Sequence, residues 1–296
     1  MPTRRGALFL NPSAGAKLPV TEVSAIEAAA NEAGLDVFRI DRHFDCGSII
    51  REQMAMDRKL FVAAGGDGTI SNVIQALVNT EAFLGVLPLG TFNHFARDLG
   101  IPLDWRAALE VALSGTTRQI DTVRVNERFL INNLSIGLYP ELVARREALG
   151  RNTPRWKARI YAAIATLRKY PHVTLGIETE YHREIIRTHI FVVSNNSYDL
   201  SRLGVEAPRN TLEGALLSVY WLPHVRRMTL ARFLANYFAG RVTTTPGFRS
   251  FRTVRLRVQS PRKHLHLGID GEVFTMPPPL IITMVPRSLL VKVPRE

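Results

Sequence analysis

The feature that most constrains the fold is a short glycine-rich loop, Gly65-Gly66-Asp67-Gly68-Thr69, which directly follows the apolar run Leu60 to Ala64. An apolar run that opens into glycines and then into helical apolar spacing predicts a buried strand, a tight loop and a helix N-terminus. Backbone N–H groups at a helix start have no intrahelical partner, and the dipole there is positive. The loop is therefore expected to bind an anion such as a phosphate. The carboxylate of Asp67 suits such a loop if Mg²⁺ lies between it and the phosphate.

Strand and helix patterns alternate from the start of the chain to Gly115. Apolar runs predict strands at 6–10, 35–40, 60–64 and 83–87, and helical spacing predicts helices at 21–33, 47–57, after the glycine loop and at 105–113. This alternation favours a parallel sheet with helices on both faces, in which ligands bind beyond the carboxyl ends of the strands. Three strands end in polar or glycine-bearing turns, at Asn11–Gly15, Gly65–Thr69 and Pro88–Asn93. Their convergence at one sheet edge predicts a nucleotide site.

After Gly115 the sequence changes to β-branched and alternating segments, which predict a β-rich second domain. Strands are expected at 118–125, 129–136, 173–179, 185–194, 215–222, 252–258, 264–269 and 280–293. Helical segments at 154–170 and 228–239 interrupt them. Each is interpreted first as an amphipathic helix packed on its own domain, and alternatively as an interfacial helix on a membrane. The predicted domains are 1–118, with 280–296 as a candidate addition to it, and 119–279.

The net charge and the single cysteine limit the binding partners and the structural features that the sequence predicts. The net charge of +12 indicates attraction to anions, namely nucleic acid, nucleotides or an acidic membrane surface. No nucleic-acid module with interleaved basic and aromatic residues is present, so no nucleic-acid partner is predicted. Cys46 is the single cysteine, which excludes a disulfide framework and predicts a small buried residue. No apolar run approaches the ~20 residues needed to cross a bilayer, so the protein is expected to be cytoplasmic, with any membrane contact peripheral.

Several motifs together resemble the diacylglycerol kinase catalytic-domain family, which includes bacterial soluble lipid kinases, sphingosine kinases and ceramide kinases. The motifs follow the family's order and span nearly the whole chain. They are Asn11-Pro12-Ser13-Ala14-Gly15, Gly65-Gly66-Asp67-Gly68-Thr69, Pro88-Leu89-Gly90-Thr91-Phe92-Asn93 with Phe95-Ala96-Arg97, Ala207-Pro208 with Glu213-Gly214, and Asp270-Gly271-Glu272.

The resemblance implies a doubly wound α/β nucleotide-binding domain followed by a β-sandwich lipid-binding domain, with ATP and Mg²⁺ in the cleft between them. It implies that Asp67 faces the catalytic magnesium, directly or through water, and that Glu272 accepts the proton of the lipid hydroxyl, with Asp270 beside it. The cofactor-binding residues would be Asn11, Pro12, Ser13, Ala14, Gly15, Gly65, Gly66, Asp67, Gly68, Thr69, Asn72, Thr91 and Asn93.

The late Asp270-Gly271-Glu272 segment has two interpretations. Phosphoryl transfer needs a carboxylate that takes the acceptor's proton, and two carboxylates one residue apart on a strand point the same way. Without the resemblance the same residues indicate a hairpin turn, because Asp-Gly is a strong turn signal. The resemblance favours the catalytic interpretation.

Three positions depart from the family's pattern. His94 replaces the aspartate that many members carry there. Glu213 replaces an aspartate that, with the carbonyls of residues matching Asn210 and Ala215, holds a second, structural Mg²⁺; glutamate adds a methylene to a site that demands tight octahedral geometry. A nucleotide-contacting threonine that members carry before the third strand is absent, and Asp41-Arg42-His43 occupies that region.

The sequence thus predicts an ATP- and Mg²⁺-dependent lipid kinase that transfers the γ-phosphate to a hydroxyl of a diacylglycerol- or sphingoid-like lipid. Its expected partners are the lipid and the inner face of an anionic membrane. One alternative is an NAD kinase-like enzyme, whose family shares the Gly-Gly-Asp-Gly-Thr loop. Another is a non-catalytic nucleotide- or lipid-binding protein with the same fold. The identity of the lipid and the oligomeric state stay open, with a homodimer among the alternatives.

Overall fold

The chain forms two compact units in a computed structural model that describes residues 5–15, 18–41, 44–91, 93–137, 172–195, 214–223, 226, 228–229 and 249–295. Unit 1 comprises Met1–Thr122 and Val285–Glu296, and unit 2 comprises Val123–Met284. The sequence-based division was placed at 118 and 280. The helix predicted at 154–170 lies outside the described residues, as does all but the start of the one at 228–239.

Unit 1 alternates strands and helices as predicted. Its elements are β1 Gly6–Leu10, α1 Val20–Glu32, β2 Leu35–Arg39, α2 Cys46–Ala55, β3 Leu60–Gly65, α3 Asp67–Leu77, β4 Phe83–Pro88, α4 His94–Asp98 and α5 Trp105–Ser114, with the first part of β5 Thr116–Val125 and the last part of β15 Leu280–Val293. The short helix α4 was not predicted, because five residues cannot display a helical apolar period. None of the described helices is long and apolar enough to cross a bilayer.

The sheet of unit 1 is parallel, with strand order β2-β1-β3-β4 and the end of β15 beside β4. Strands β1 and β3 are buried along their whole length, as expected where helices cover both faces of a parallel sheet. The chain changes direction across the sheet after β2. Right-handed crossovers therefore place α1 on one face and α2 and α3 on the other. The carboxyl ends of β1 and β3, at this reversal, are where such sheets bind ligands.

Cys46, the first residue of α2, is buried as the sequence indicated. Burial, aided by the nearby charge of Asp45, raises the pKa of its thiol to about 12. Thiolates are the reactive form of cysteine, so Cys46 is chemically inert in the folded protein.

Unit 2 is built from antiparallel strands. They are the end of β5, β6 Arg128–Leu130, β7 Asn133–Gly137, β8 Val173–Glu178, β9 Arg183–Ser194, β10 Leu217–Pro223, β11 Arg249–Thr253, β12 Arg255–Gln259, β13 Leu265–Ile269, β14 Glu272–Met276 and the start of β15. Strand order along the sheet is β14-β13-β7-β9-β8-β12-β15, while β10 joins β9 to β11 and β5 pairs with β6. The described β-rich unit agrees with the predicted second domain.

Two strand predictions in unit 2 were wrong, and one strand was missed. The segment 129–136 is two strands, β6 and β7, separated at Ile131-Asn132, where backbone N–H groups bond to a side chain instead of a neighbouring strand. The segment 252–258 is also divided, between β11 and β12 at Val254. Strand β14 was missed because its first residues were interpreted as part of a catalytic motif.

The core of unit 2 follows from strict alternation along its strands. In β8 the side chains of Val173, Leu175 and Ile177 are buried, while the residues between them are partly exposed. In β12 Leu256 and Val258 are buried between exposed or partly exposed neighbours. One face of these strands therefore packs into the apolar core, and the other face is left outside it.

Candidate active site

Three loops converge at the carboxyl ends of β1, β3 and β4, as the sequence predicted. The N–H of Asn11 donates to the carbonyl of Ala64 (2.9 Å), which ties the first loop to the end of β3. The N–H of Leu89 donates to the carbonyl of Gly65 (2.9 Å), which ties the third loop to the same strand end. The loops are thus held together by their own backbones.

Glycine is required where these loops touch. A Cβ on Gly90 would lie 2.5 Å from the Cα of Gly66 and 2.6 Å from Oδ1 of Asn93. Gly15 has a φ of +62°, and a Cβ there would lie 2.6 Å from the carbonyl oxygen of Leu89. All three distances are shorter than van der Waals contact, so side chains at these positions would separate the loops.

The amide of Asn11 connects the first loop to the helix that follows the second. Its Nδ2 donates to Oγ1 of Thr69 (3.1 Å), and its Oδ1 accepts from the N–H of Ser13 (3.0 Å). Thr69 is buried, whereas Ser13 and Gly15 are exposed. The hydrogen bond between Asn11 and Thr69 therefore holds the first loop in place from its buried side. Ser13 and Gly15, on the exposed side of this loop, are the residues that a ligand can reach.

The start of α3 offers unpaired backbone donors. The N–H groups of Asp67 and Gly68 form no hydrogen bond with any described residue, whereas those of Thr69 and Ile70 already donate to the carbonyl of Gly66. Helix α3 has eleven residues, long enough for its dipole to add to these donors. Unpaired donors at a helix start are the arrangement that the anion site predicted from the glycine-rich loop requires.

Asp67 has a structural partner that the sequence did not reveal. Its carboxylate oxygens accept hydrogen bonds from the backbone N–H groups of His94 (3.3 Å) and Phe95 (3.2 Å), so it caps the N-terminus of α4. A carboxylate has about four lone-pair sites, which leaves others for a cation or a water. Among the described residues no group of three metal-ligating side chains occurs. The remaining lone pairs of Asp67 are suited to one contact with a Mg²⁺, directly or through water, because nucleotide sites hold this ion by one or two carboxylates together with phosphate oxygens.

The predicted ligand residues Asn93, Asn72 and Thr91 differ in their surroundings. Asn93 is buried with a φ of +50°, and its amide bonds three times within its own loop, to the N–H of Gly90 and to the carbonyls of Pro88 and Gly90. Asn72 donates to the carbonyl of Phe44 (3.2 Å). Thr91 is exposed. Of the three, Thr91 alone presents its side chain outward.

Gly90→Ala is expected to lower nucleotide affinity by at least tenfold, because the added methyl would force the second and third loops apart. Isothermal titration with ATP and Mg²⁺ measures the affinity. Gly176→Ala is the matched control, since a Cβ there would meet its nearest neighbour at an ordinary 3.6 Å. Equal affinities for both variants would show that the close approach of Gly66 and Gly90 is irrelevant to binding.

In unit 2, Asp270 and Gly271 form a two-residue hairpin turn between β13 and β14. Ile269 pairs with Glu272, and the φ angles of Asp270 and Gly271 are +48° and +90°, as in a type I′ turn. The prediction that the two carboxylates lie on one strand and point the same way is wrong. The Asp-Gly turn preference determines the local backbone.

The Asp270 carboxylate is directed into the unit instead. The residue is 5% exposed, and its oxygens accept backbone N–H groups from Ile131 (3.1 Å), Asn132 (2.9 Å) and Asn133 (3.2 Å). Its own N–H donates to the carbonyl of Asn133 (3.0 Å). Asp270 thus clamps the β6–β7 connection against the hairpin and satisfies three donors that no strand satisfies.

Glu272 is exposed at the start of β14, and its carboxylate forms no hydrogen bond or ion pair with a described residue. An arginine that the sequence did not single out lies near it. The Arg128 guanidinium is stacked 4.1 Å above the ring of Phe274, which is on the same face of β14 as Glu272. Burial lowers the pKa of Arg128, while the charges of Glu272 and Asp270 act to raise it.

Arg128 could not have been found from local spacing, because its contact with Phe274 joins residues far apart in the chain. Its Nε is buried and has no hydrogen-bond partner among the described residues.

The structural magnesium site predicted at Asn210, Glu213 and Ala215 falls mostly outside the described residues. Of its members only Ala215 is described, with a φ of +49°.

Family models match both parts of the chain. The diacylglycerol kinase catalytic domain matches residues 5–125, and the YegS C-terminal NAD kinase beta sandwich-like domain matches residues 142–293. The diacylglycerol kinase of Bacillus subtilis (strain 168) is 32% identical over 310 residues, which cover 99% of this chain and 97% of that protein. An uncharacterised protein of Synechocystis sp. is 25% identical over 241 residues, and the match spans 55% of that protein's length.

A solved structure shares the fold. The crystal structure of a diacylglycerol kinase from Bacillus anthracis str. Sterne covers 99% of this chain with a TM-score of 0.69 and 16% identity. At this identity the likeness concerns the fold alone. The predicted fold class, an α/β domain followed by a β sandwich, is confirmed.

Proposed function

Because this chain belongs to the diacylglycerol kinase catalytic-domain family, we propose that it transfers the γ-phosphate of ATP to a hydroxyl of a diacylglycerol- or sphingoid-like lipid, with Mg²⁺ as cofactor. The observation that carries the proposal is the convergence of three glycine-bearing loops and the unpaired donors of α3 at the point where the sheet reverses direction. Such a surface suits a polyphosphate.

In the proposed reaction, unit 1 binds the nucleotide. The N–H groups of Asp67 and Gly68 donate to phosphate oxygens, and the exposed residues Ser13, Gly15 and Thr91 lie in loops that can reach the nucleotide. Mg²⁺, when bound, neutralises charge on the phosphates, and Asp67 would hold it directly or through water. Asn11, Thr69 and Asn93 keep the loops in place.

The proposed proton acceptor is Glu272. Phosphoryl transfer requires that the lipid hydroxyl lose its proton to a positioned base. The two carboxylates of the motif have different surroundings. Asp270 accepts three backbone N–H groups, whereas the carboxylate of Glu272 is exposed and forms no hydrogen bond with a described residue. This difference supports Glu272 as the base and gives Asp270 a structural part.

The direct test is to incubate the purified protein with radiolabelled ATP, Mg²⁺ and detergent-dispersed diacylglycerol, sphingosine and ceramide in separate reactions. A phosphorylated lipid that forms only with the divalent cation is expected. If ATP binds and none of the lipids is phosphorylated, the proposal is refuted.

NAD is included in the same panel because the second family model is described as NAD kinase beta sandwich-like. An NAD kinase-like activity is therefore the second candidate function. NADP formed from NAD and ATP, without any lipid product, would replace the lipid kinase proposal.

A further inference from the structure

One face of the sheet in unit 2 carries a cluster of arginines around an exposed isoleucine. We define the arginine face as Glu178 of β8, Arg183, Ile185 and Arg187 of β9, and Arg255 and Arg257 of β12. Pairing brings these residues together: Glu178 lies opposite Arg183 on one side and Arg257 on the other. The residues that alternate with them, including Ile177, Ile186 and Val258, are buried. The arginine face is therefore the side of the sheet turned away from the core.

The positive charge of this face is not compensated locally. It holds four arginines and one glutamate, and none of the four guanidinium groups forms an ion pair or a hydrogen bond with a described residue. By contrast, Arg39 is paired with Glu27 and Arg249 with Glu184. Four like charges held on adjacent strands repel one another, so an anionic partner would relieve this repulsion.

The same face exposes an apolar side chain, and a second apolar side chain is exposed in the turn beside it. Ile185, between the two arginines of β9, is 79% exposed, although isoleucine is among the residues most often buried. Tyr181, in the turn that joins β8 to β9, is 95% exposed. Opposite Ile185 on β8 is Gly176, which adds no side chain to the surface. Ile185 is thus an exposed apolar side chain between two arginines of β9, and no side chain lies opposite it on β8.

We propose that the arginine face is a docking surface for an anionic lipid bilayer. Guanidinium groups bind headgroup phosphates in forked geometry, and Ile185 and Tyr181 enter the interfacial layer, where tyrosine is favoured. A nucleic acid would bind the arginines but would gain nothing from an aliphatic side chain at their centre. The inference rests on the proposed function, because an enzyme that phosphorylates a membrane lipid must reach the bilayer.

Vesicle flotation with the full chain tests the proposal. Vesicles of phosphatidylcholine alone are compared with vesicles that contain one quarter phosphatidylglycerol. The wild type is expected to bind only the anionic vesicles, and less at high salt. The double variant Arg187→Gln/Arg257→Gln should bind them about 20-fold more weakly, and Ile185→Ser should also weaken binding.

The matched control is Arg51→Gln/Arg106→Gln, which removes the same charge from exposed positions on α2 and α5. Its vesicle binding should stay within about twofold of the wild type. Equal losses in both double variants, no loss in the first, or equal binding to neutral vesicles would each overturn the proposal. So would an arginine-dependent affinity for DNA that exceeds the affinity for anionic vesicles.

Kinase activity on detergent-dispersed lipid separates this inference from the proposed function. Both double variants should keep wild-type turnover in detergent, because neither touches the proposed catalytic residues. If the wild type phosphorylates no lipid but still binds anionic vesicles through the arginine face, the proposed function fails and the docking surface stands. If it phosphorylates dispersed lipid and the arginines do not affect vesicle binding, the docking surface fails alone.

Discussion

Glu272→Gln is expected to lower the turnover number for lipid phosphorylation by about 10²–10⁴-fold, because glutamine has nearly the same shape but cannot accept a proton. ATP affinity should change by less than about twofold, since the proposed nucleotide contacts are all in unit 1. Stability should change by less than about 1 kcal/mol, because Glu272 is exposed and water screens the attraction to Arg128 that it loses. Steady-state kinetics in detergent give the turnover number, and isothermal titration gives the ATP affinity.

The control is Glu110→Gln, an exposed glutamate in α5 that loses the same charge. It should retain wild-type turnover. A Glu272→Gln enzyme with normal turnover would show that another group takes the proton, and it would favour the interpretation of the Asp-Gly-Glu segment as a turn alone. If both the wild type and the variant lack turnover but bind nucleotide, the chain is a non-catalytic binding protein.

Asp270→Ala is expected to reduce the free energy of unfolding by about 3–5 kcal/mol. Three backbone N–H groups lose their shared acceptor, and each buried donor left unpaired costs about 1–3 kcal/mol before the structure relaxes. Alanine also tolerates the φ of +48° less well than aspartate does. Urea unfolding followed by circular dichroism measures the loss, and unit 2 should unfold at lower urea than unit 1.

Asp104→Ala provides the comparison. Asp104 also accepts two backbone N–H groups, from Arg106 and Ala107, but it does so at an exposed helix start. Water can replace it there, so a loss of only about 1 kcal/mol is expected. If Asp270→Ala is as stable as the wild type yet inactive, then Asp270 acts in the chemistry and not in the fold.

The sequence was informative about unit 1 because its signals are local. Continuous apolar runs mark β1 and β3, since both faces of a parallel sheet are buried, and glycine marks the loops that follow them. The predicted convergence of the loops follows from the direction of parallel strands. The sequence did not predict the hydrogen bonds from the start of α4 to the Asp67 carboxylate, because they join residues far apart along the chain.

The sequence was less informative about unit 2, where contacts between residues distant in the chain determine where the strands begin and end. A type I′ turn forms at residues 270 and 271, as the Asp-Gly pair indicates, and two carboxylates on one strand do not occur there. The division of 129–136 into two strands depends on the Asp270 carboxylate, which is more than a hundred residues away. The stacking of Arg128 on Phe274 likewise has no local signal.

The Asp270 turn has a consequence for interpreting related sequences. Its three adjacent residues have separate parts: Asp270 holds three backbone N–H groups at positive φ, Gly271 supplies a φ of +90°, and Glu272 is the exposed carboxylate that we propose as the base. A relative that has lost its activity would still need the first two residues in order to fold. The third residue, and not the motif as a whole, is therefore the position at which working enzymes and their inactive descendants are expected to differ.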